Sequence, residues 1–310
     1  MHGSFLGSRD VRVLVTGSNG VFGGAFAAHI GAARPDTMVF GVDLRPPVGV
    51  PGEACDLTDA TAVAGMLARL SPQAVFHFAG AVTGHDLMEL TDRLVTPTHT
   101  LLDALATHAP GAVLVVPGSA AEYGTLPLGR TSFAETDEPL PVSPYGIAKL
   151  AQTRVALEAV LHGADVRVGR VFNVIGPGIP ASFLTGSVAS QLAAIAAGDA
   201  PPRIELGPLS SVRDFVDIRD ACDGLLAIAE RGAIGRVYNV CSGVGRTSRE
   251  VVDALVRCSG MDVEVVEQAS GSPRTGLDAS VGDPRRIAAE CGWQPRIEFD
   301  ASACDAITSI

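Results

Sequence analysis

Apolar and polar residues alternate along this chain in blocks rather than one by one. Residues 11–15 form an apolar, β-branched run broken only by Arg12, the pattern of a strand buried on both faces. A glycine-rich stretch follows, then an alanine-rich helix running to about Ala33. Further strands are predicted over 38–42, ending in Asp43, at a short segment closed by Asp56 and Leu57, and over 74–78, 113–116 and 165–171. Helices are predicted over 59–70 and 86–108, the second with a break near Pro97. Strand and helix in regular succession predict an α/β fold built on a doubly wound parallel sheet.

Beyond Phe172 the pattern loosens, as expected of a smaller C-terminal α/β substrate-binding lobe. Helices are expected over 181–197, within 216–230, over 247–258 and over 283–291, with a strand over 236–240. The tail after Trp293 gives no clear reading. The expected division is a dinucleotide-binding domain over 1–171 and a lobe over 172–310. The two interleave, with a segment around 212–240 returning to the sheet.

Thr16-Gly17-Ser18-Asn19-Gly20-Val21-Phe22-Gly23 carries the spacing G-x-x-G-x-x-G between a strand and a helix. Glycines there permit a tight turn, close approach of backbone to a pyrophosphate, and close packing of helix on sheet. The helix N-terminus favours the phosphates. Asp43 stands 20 residues beyond Gly23, where a dinucleotide fold places the acid that takes ribose hydroxyls. A carboxylate repels a 2′-phosphate, which favours NAD. Arg45 would stack on adenine or welcome that phosphate, which leaves NADP open. Asp43 could alternatively only cap a loop. Ala79-Gly80-Ala81 are small enough to let a cofactor approach, and His77 reads as a packed core histidine.

Composition narrows the classes. The 310 residues are 47% hydrophobic and 18% charged, with a net charge of −11. The acidic balance disfavours nucleic-acid binding, so a phosphate-bearing ligand must be held locally. The six cysteines (Cys55, Cys222, Cys241, Cys258, Cys291 and Cys304) show no metal-binding spacing and read as small apolar residues of a reducing compartment. No metal is expected. The first ten residues lack a secretory pattern, and no apolar run is long enough to span a bilayer. A cytoplasmic location is expected.

The candidate chemistry centres on Ser143-Pro144-Tyr145-Gly146-Ile147-Ala148-Lys149. Tyrosine and lysine four apart share a helical face. Ser143 suits the N-cap and Pro144 the first helical position. Tyr145 then sits at the positive end of the dipole, and both dipole and Lys149 are expected to bring the phenol toward neutrality. Alone, the pair also fits a helix with one surface lysine. Ser119, at the carboxyl end of the strand starting at 113, changes that picture by offering a hydroxyl to the same crevice.

These residues resemble the extended short-chain dehydrogenase/reductase family of nucleotide-sugar enzymes, NAD-dependent epimerases and dehydratases on a Rossmann-type sheet. The resemblance rests on Gly17, Gly20 and Gly23, on Asp43, Asp56 and Leu57, on Ser119 with Tyr123 and Gly124, and on Tyr145 with Lys149. Within the family it is greatest to the GDP-4-keto-6-deoxymannose reductases, through 118–124, 135–149, 170–178, 212–220 and 237–243. It departs in two places. Ala120 and Ala121 stand where related dehydratases carry an Asp-Glu pair, so dehydration is not expected. Leu94 and Pro97 stand where the family has asparagine and glycine.

The resemblance implies catalysis by Ser119, Tyr145 and Lys149. It implies cofactor contacts from Gly17, Asn19, Gly20, Val21, Phe22, Gly23, Asp43, Arg45, Asp56, Leu57, Ala79, Gly80 and Ala81 as well as Tyr145 and Lys149. Substrate contacts would come from Thr83, Glu122, Asn173, Arg213 and Arg274. Arg213 suits a pyrophosphate because guanidinium binds phosphate oxygens in pairs, although Asp214 or Asp217 could claim it instead. The implied reaction is NAD(P)H-dependent reduction of a 4-keto sugar nucleotide. A 4-epimerase with retained NAD and a silent dinucleotide-binding regulator are the alternatives. The resemblance also implies a homodimer, formed through the two long helices near 86–108 and 144–162.

Overall fold

The apolar runs of the first half assemble into one sheet. A computed structural model of the chain describes residues 11–81, 84, 86–268 and 279–308. The contacts expected of Thr83 and Arg274 lie outside the described residues. The first half forms β1 (Arg12–Thr16), α1 (Val21–Ala33), β2 (Met38–Asp43), β3 (Gly52–Ala54), α2 (Ala60–Leu70), β4 (Ala74–His77), α3 (Leu87–His108), β5 (Val113–Ser119), α4 (Pro144–Glu158) and β6 (Asp165–Val171). The second half forms β7 (Asn173–Ile175), α5 (Leu184–Ala196), β8 (Arg203–Leu206), β9 (Val212–Asp217), α6 (Ile218–Arg231), β10 (Val237–Val240), β11 (Gly245–Thr247), α7 (Ser248–Ser259), β12 (Glu264–Glu267), β13 (Ala279–Ser280), α8 (Arg285–Cys291) and α9 (Phe299–Thr308).

The main sheet is parallel and seven-stranded, in the order β10-β6-β5-β4-β1-β2-β3. Strand order reverses between β1 and β4, whose ends Thr16 and His77 lie in register. In an open sheet this reversal opens a crevice beyond the carboxyl ends of the strands. Helices cover both faces. Phe26 and Ile30 of α1 pack with Leu225 and Ile228 of α6 against Val13, Val15 and Phe76. On the other face Met66, Leu67, Leu101, Leu105 and Ala156 pack against Leu14, Val75 and Leu114. Burial from both sides is why these strands read as unbroken apolar runs. A smaller sheet, β11-β9-β13 with β7 beside β9, packs with α5, α7 and α9 in a separate core. After β9 and α6 the chain returns to the main layer, where β10 runs beside β6.

Capping explains the helix starts. Asp59 accepts from the amides of Thr61 and Ala62 to open α2, and Ser143 Oγ accepts from Gly146 to open α4. Thr247 and Glu250 bond reciprocally to open α7. Among the described residues no helix is long and apolar enough to cross a membrane.

The structure corrects three expectations. The break near Pro97 does not occur, and α3 continues through it. Proline forfeits one backbone bond, but the Thr98 hydroxyl donates to the Leu94 carbonyl at 2.7 Å and the turn packs on α4. The uninformative tail contains α9. Its buried face is Ser302, Ala303 and Ala306, too small for a clear hydrophobic stripe. Finally, Cys258 on α7 and Cys304 on α9 form a disulfide, so not all six cysteines are small apolar fillers. Their pairing follows from packing of the two helices and leaves no spacing signal in the sequence.

Replacing Cys304 by serine should lower the thermal midpoint of protein purified without reductant. Wild-type protein in reductant should fall to the same midpoint. A separation of 46 residues sets the chain-entropy contribution at about 4 kcal/mol. Identical wild-type midpoints with and without reductant would count against the pairing.

Candidate active site

Two loops meet where the strand order reverses. In the glycine turn, Gly17 donates its amide to the Val42 carbonyl at 2.7 Å and Gly20 to the Gly17 carbonyl at 2.9 Å. Gly17 has φ +68°, and a Cβ there would lie 2.7 Å from the Ala79 nitrogen. A Cβ on Gly23 would lie 2.2 Å from the Gly17 carbonyl oxygen. Handedness and space require glycine at the first position, and space alone at the second. Gly20 caps α1 without a side-chain bond, so among the described residues the amides of Val21, Phe22 and Gly23 have no side-chain cap.

Asn19 staples this turn to the loop after β2. Its Nδ2 donates to the carbonyls of Arg45 and Pro46, each at 3.2 Å, and its Oδ1 accepts from the Val48 amide at 2.9 Å. Asp43 accepts from the amides of Asn19 at 3.0 Å and Leu44 at 2.8 Å. It therefore does cap the loop, and it does so at the end of β2 where a ribose acid is expected. Ser18, Asn19, Gly24, Arg45, Pro46 and Val48 line a cavity of about 470 Å³. Ser18 Oγ is buried with no hydrogen-bond partner among the described residues. An uncapped helix start, a cradle that any Cβ would fill and an orphaned hydroxyl fit the phosphates and adenosine end of a dinucleotide. Asp56 accepts from the amide and hydroxyl of Thr58, which hold its carboxyl below the usual range. Leu57 is buried beside it. Ala79 donates its amide to Thr16 Oγ1 at 3.2 Å, and Ala81 packs near Leu90, Leu94 and Tyr145.

The second loop follows β5. Ser119 Oγ accepts from the Ala121 amide at 3.2 Å and caps one helical turn, Ala120–Glu122. Ser143 and Pro144 begin α4 and set Tyr145 in its first turn, half-buried against Leu90, Leu94 and Ala148. Lys149 is buried one turn on, and its Nζ donates to the Pro117 carbonyl and to Gln152 Oε1, each at 2.6 Å.

The expected lowering of the Tyr145 phenol is not met. Burial pushes it up to about 12, a hydrogen bond with Ser119 pulls it partly back, and the charge of Glu122 adds to the rise. Burial draws the Lys149 amine down to about 8, against Glu122, which favours its charged form. Loss of water penalises the charged form of each group, and at this depth that penalty exceeds the dipole's help. At neutral pH Tyr145 is therefore a protonated phenol near an ammonium ion, which leaves it able to donate a proton.

Glu122, expected to face the substrate, is turned into the protein in this structure. It is fully buried. Its Oε1 accepts from the Ser119 amide at 2.8 Å and from Thr153 Oγ1 at 3.1 Å, and its Oε2 accepts from Arg170 Nε at 2.8 Å. The Arg170 guanidinium lies 4.5 Å from the centre of the Tyr123 ring, and Tyr123 donates to Asn239 Oδ1 at 2.8 Å. An acid next to a catalytic loop suggests ligand contact in sequence, but the packing of β5 on β6 turns it inward. Asn173 is exposed at the start of β7. Arg213 is half-buried on β9 and donates to the Val212 carbonyl at 2.7 Å. Asp214 accepts from Ser242, Gly243 and Gly282, and Asp217 from Arg219 and Ser302. Sequence reading missed Gln152, Thr98 and Arg170. Gln152 had a legible signal, three positions past Lys149 on the same helical face.

The model of the NAD dependent epimerase/dehydratase family matches residues 13–241. The chain is 29% identical to GDP-6-deoxy-D-mannose reductase of Pseudomonas aeruginosa, over 94% of each chain. It is 34% identical to dTDP-6-deoxy-L-talose 4-dehydrogenase (NAD(P)(+)) of Kitasatospora kifunensis, over 92% of this chain and 91% of that one. Among solved structures, RMD from Pseudomonas aeruginosa complexed with NADPH superimposes with a TM-score of 0.82 at 27% identity, covering 96% of this chain and 98% of that one.

Replacing Glu122 by glutamine leaves the buried Arg170 without a counter-charge. The expected cost is about 3–5 kcal/mol of folding free energy, measured by urea denaturation. Joint replacement of the pair by apolar residues of similar volume, Glu122→Leu with Arg170→Met, should cost less than the single change. A single variant as stable as wild type would contradict the assigned pairing.

Proposed function

The chain belongs to the NAD dependent epimerase/dehydratase family, and from that premise we propose that it is a nucleotide-sugar 4-ketoreductase using NADH or NADPH on an NDP-4-keto-6-deoxyhexose. The observation that carries this reading is geometric: Ser119 at the carboxyl end of β5 and Tyr145 and Lys149 one turn apart at the start of α4 meet at the crevice beside the glycine turn, where a hydroxyl, a phenol and an ammonium can serve one carbonyl oxygen and a cofactor. The two relatives named above, a reductase and a 4-dehydrogenase of nucleotide-linked 6-deoxy sugars, support the same chemistry.

When bound, the dinucleotide supplies the hydride. Tyr145 donates a proton to the keto oxygen as negative charge develops there. Ser119 Oγ accepts from Ala121 and bonds to Tyr145, and its hydrogen would turn to the same oxygen once a ketone lies between them. Lys149 offers its remaining N–H to the nicotinamide ribose. Gly17, Gly20 and Gly23 with the amides of Val21 and Phe22 hold the pyrophosphate. Asp43 takes the adenosine ribose and favours NAD, while Arg45 keeps NADP acceptable. Asn19 holds the loop that forms this pocket, Asp56 and Leu57 would add further contacts to the dinucleotide, and Ala79, Gly80 and Ala81 would leave room beside the nicotinamide. Asn173 and Arg213 face the sugar diphosphate. A cytoplasmic homodimer completes the reading, in which Cys258 and Cys304 stay a dithiol until the protein is oxidised on purification; the dimer forms through α3 and α4, where Met88 and Ile147 are exposed. A monomer in sedimentation would refute that part.

A Tyr145→Phe variant should still bind the cofactor but lose about 10²–10⁴-fold in kcat for oxidation of NADH by an added GDP- or dTDP-4-keto-6-deoxyhexose. Undiminished turnover in the variant would sink the reading. Wild-type protein that retains NAD through purification and interconverts 4-epimers with no net cofactor consumption would replace it with the 4-epimerase.

A further inference from the structure

Lys149 is not held by the cofactor crevice alone. Its ammonium has three hydrogens. One goes to the Pro117 carbonyl and one to Gln152 Oε1, and among the described residues the third has no partner. Gln152 is buried and reaches across to α3, where its Nε2 donates to Thr98 Oγ1 at 2.9 Å and to the Leu94 carbonyl at 3.3 Å. The amide can take only this orientation, since the other would set NH₂ against the ammonium.

The chain of bonds continues inward. Thr98 gives its single hydroxyl hydrogen to the Leu94 carbonyl at 2.7 Å. Its oxygen must therefore accept from both Gln152 and His77, whose Nε2 lies 2.9 Å away. That places the His77 proton on Nε2 and leaves Nδ1 to accept from Thr16 Oγ1 at 2.8 Å. Thr16 Oγ1 in turn accepts from the Ala79 amide. From Gln152 inward to Thr16 the directions follow one from another, and the hydrogen left over is the third one of Lys149. Burial, with the nearby Lys149 charge, draws His77 down to about 3, so the link stays neutral across the working range.

We propose that Gln152 is a positioning residue, which fixes the Lys149 ammonium on the cofactor-facing side of α4, with Thr98 and neutral His77 as the buttress behind it. The proposal rests on the reading that Lys149 meets the cofactor. The groups that face Lys149 are Glu122 after β5, itself paired with Arg170 of β6, His77 on β4 and Tyr145 on its own helix. From α3 come the uncharged Leu94 carbonyl and Thr98 hydroxyl, through Gln152.

The test is NADH binding by the full chain without any sugar, followed by cofactor fluorescence across pH, with thermal melts to show that each variant is folded. In wild type, affinity should fall as pH rises through about 8, where Lys149 loses its charge. Lys149→Met should abolish that fall. Gln152 Oε1 accepts only from N–H, so its loss disfavours the ammonium. Gln152→Met should then move the fall to lower pH by about one unit, and Gln152→Glu, which puts an anion there, should move it up by about one unit. If Lys149→Met abolishes the fall but neither Gln152 variant moves it, the positioning role is wrong while the Lys149 reading stands. If Lys149→Met leaves the fall in place, the Lys149 reading fails and takes the proposal with it. Should Gln152→Met not fold, the upward shift in Gln152→Glu decides alone.

Discussion

The buried ion pair between Glu122 and Arg170 is the constraint on which the site depends. Taking two charges out of water costs several kcal/mol per ion unless each is fully bonded. Glu122 meets that condition through Arg170, the Ser119 amide and Thr153. In doing so it ties together the end of β5, the strand β6 and the middle of α4. Gly118 has no Cβ because one there would lie 2.7 Å from Glu122 Oε1. The Ser119 turn therefore stands at a fixed distance from the helix that carries Tyr145 and Lys149. The relative placement of Ser119, Tyr145 and Lys149 is set by a carboxylate buried behind them.

Electrostatics in the site follow from the same dryness. Burial pushes the Tyr145 phenol up and draws the Lys149 amine down, so two groups with similar ordinary values move apart. The phenol stays protonated and the amine is charged below about 8. A donor that begins protonated suits reduction of a ketone. An oxidative cycle would need the phenolate, which this environment opposes until a ligand changes it.

Much of the fold was legible in the sequence because its strands are buried on both faces. Runs such as 11–15 and 113–116 have no polar side to display, and the glycines at Gly17 and Gly23 sit where a side chain has no room. The triad of Ser119, Tyr145 and Lys149 was legible because it lies on the ends of predicted elements. Other features depend on tertiary contact. Glu122 reads as a ligand acid until β6 delivers Arg170 to it. Pro97 reads as a break until α4 packs on that turn. The partnership of Cys258 with Cys304 and the helix α9 both depend on α7, and small buried residues such as Ala303 and Ala306 give little pattern to read.

The most direct measurement uses reduced cofactor carrying deuterium at the transferable position of the nicotinamide, mixed with enzyme and a GDP- or dTDP-4-keto-6-deoxyhexose. Proton and deuterium NMR of the product then locate the label. Direct 4-ketoreduction predicts one deuterium on C4 of the hexose for each cofactor oxidised, with the new hydroxyl on the same carbon. A product without deuterium at C4, or label retained on a cofactor that is not consumed, would contradict it.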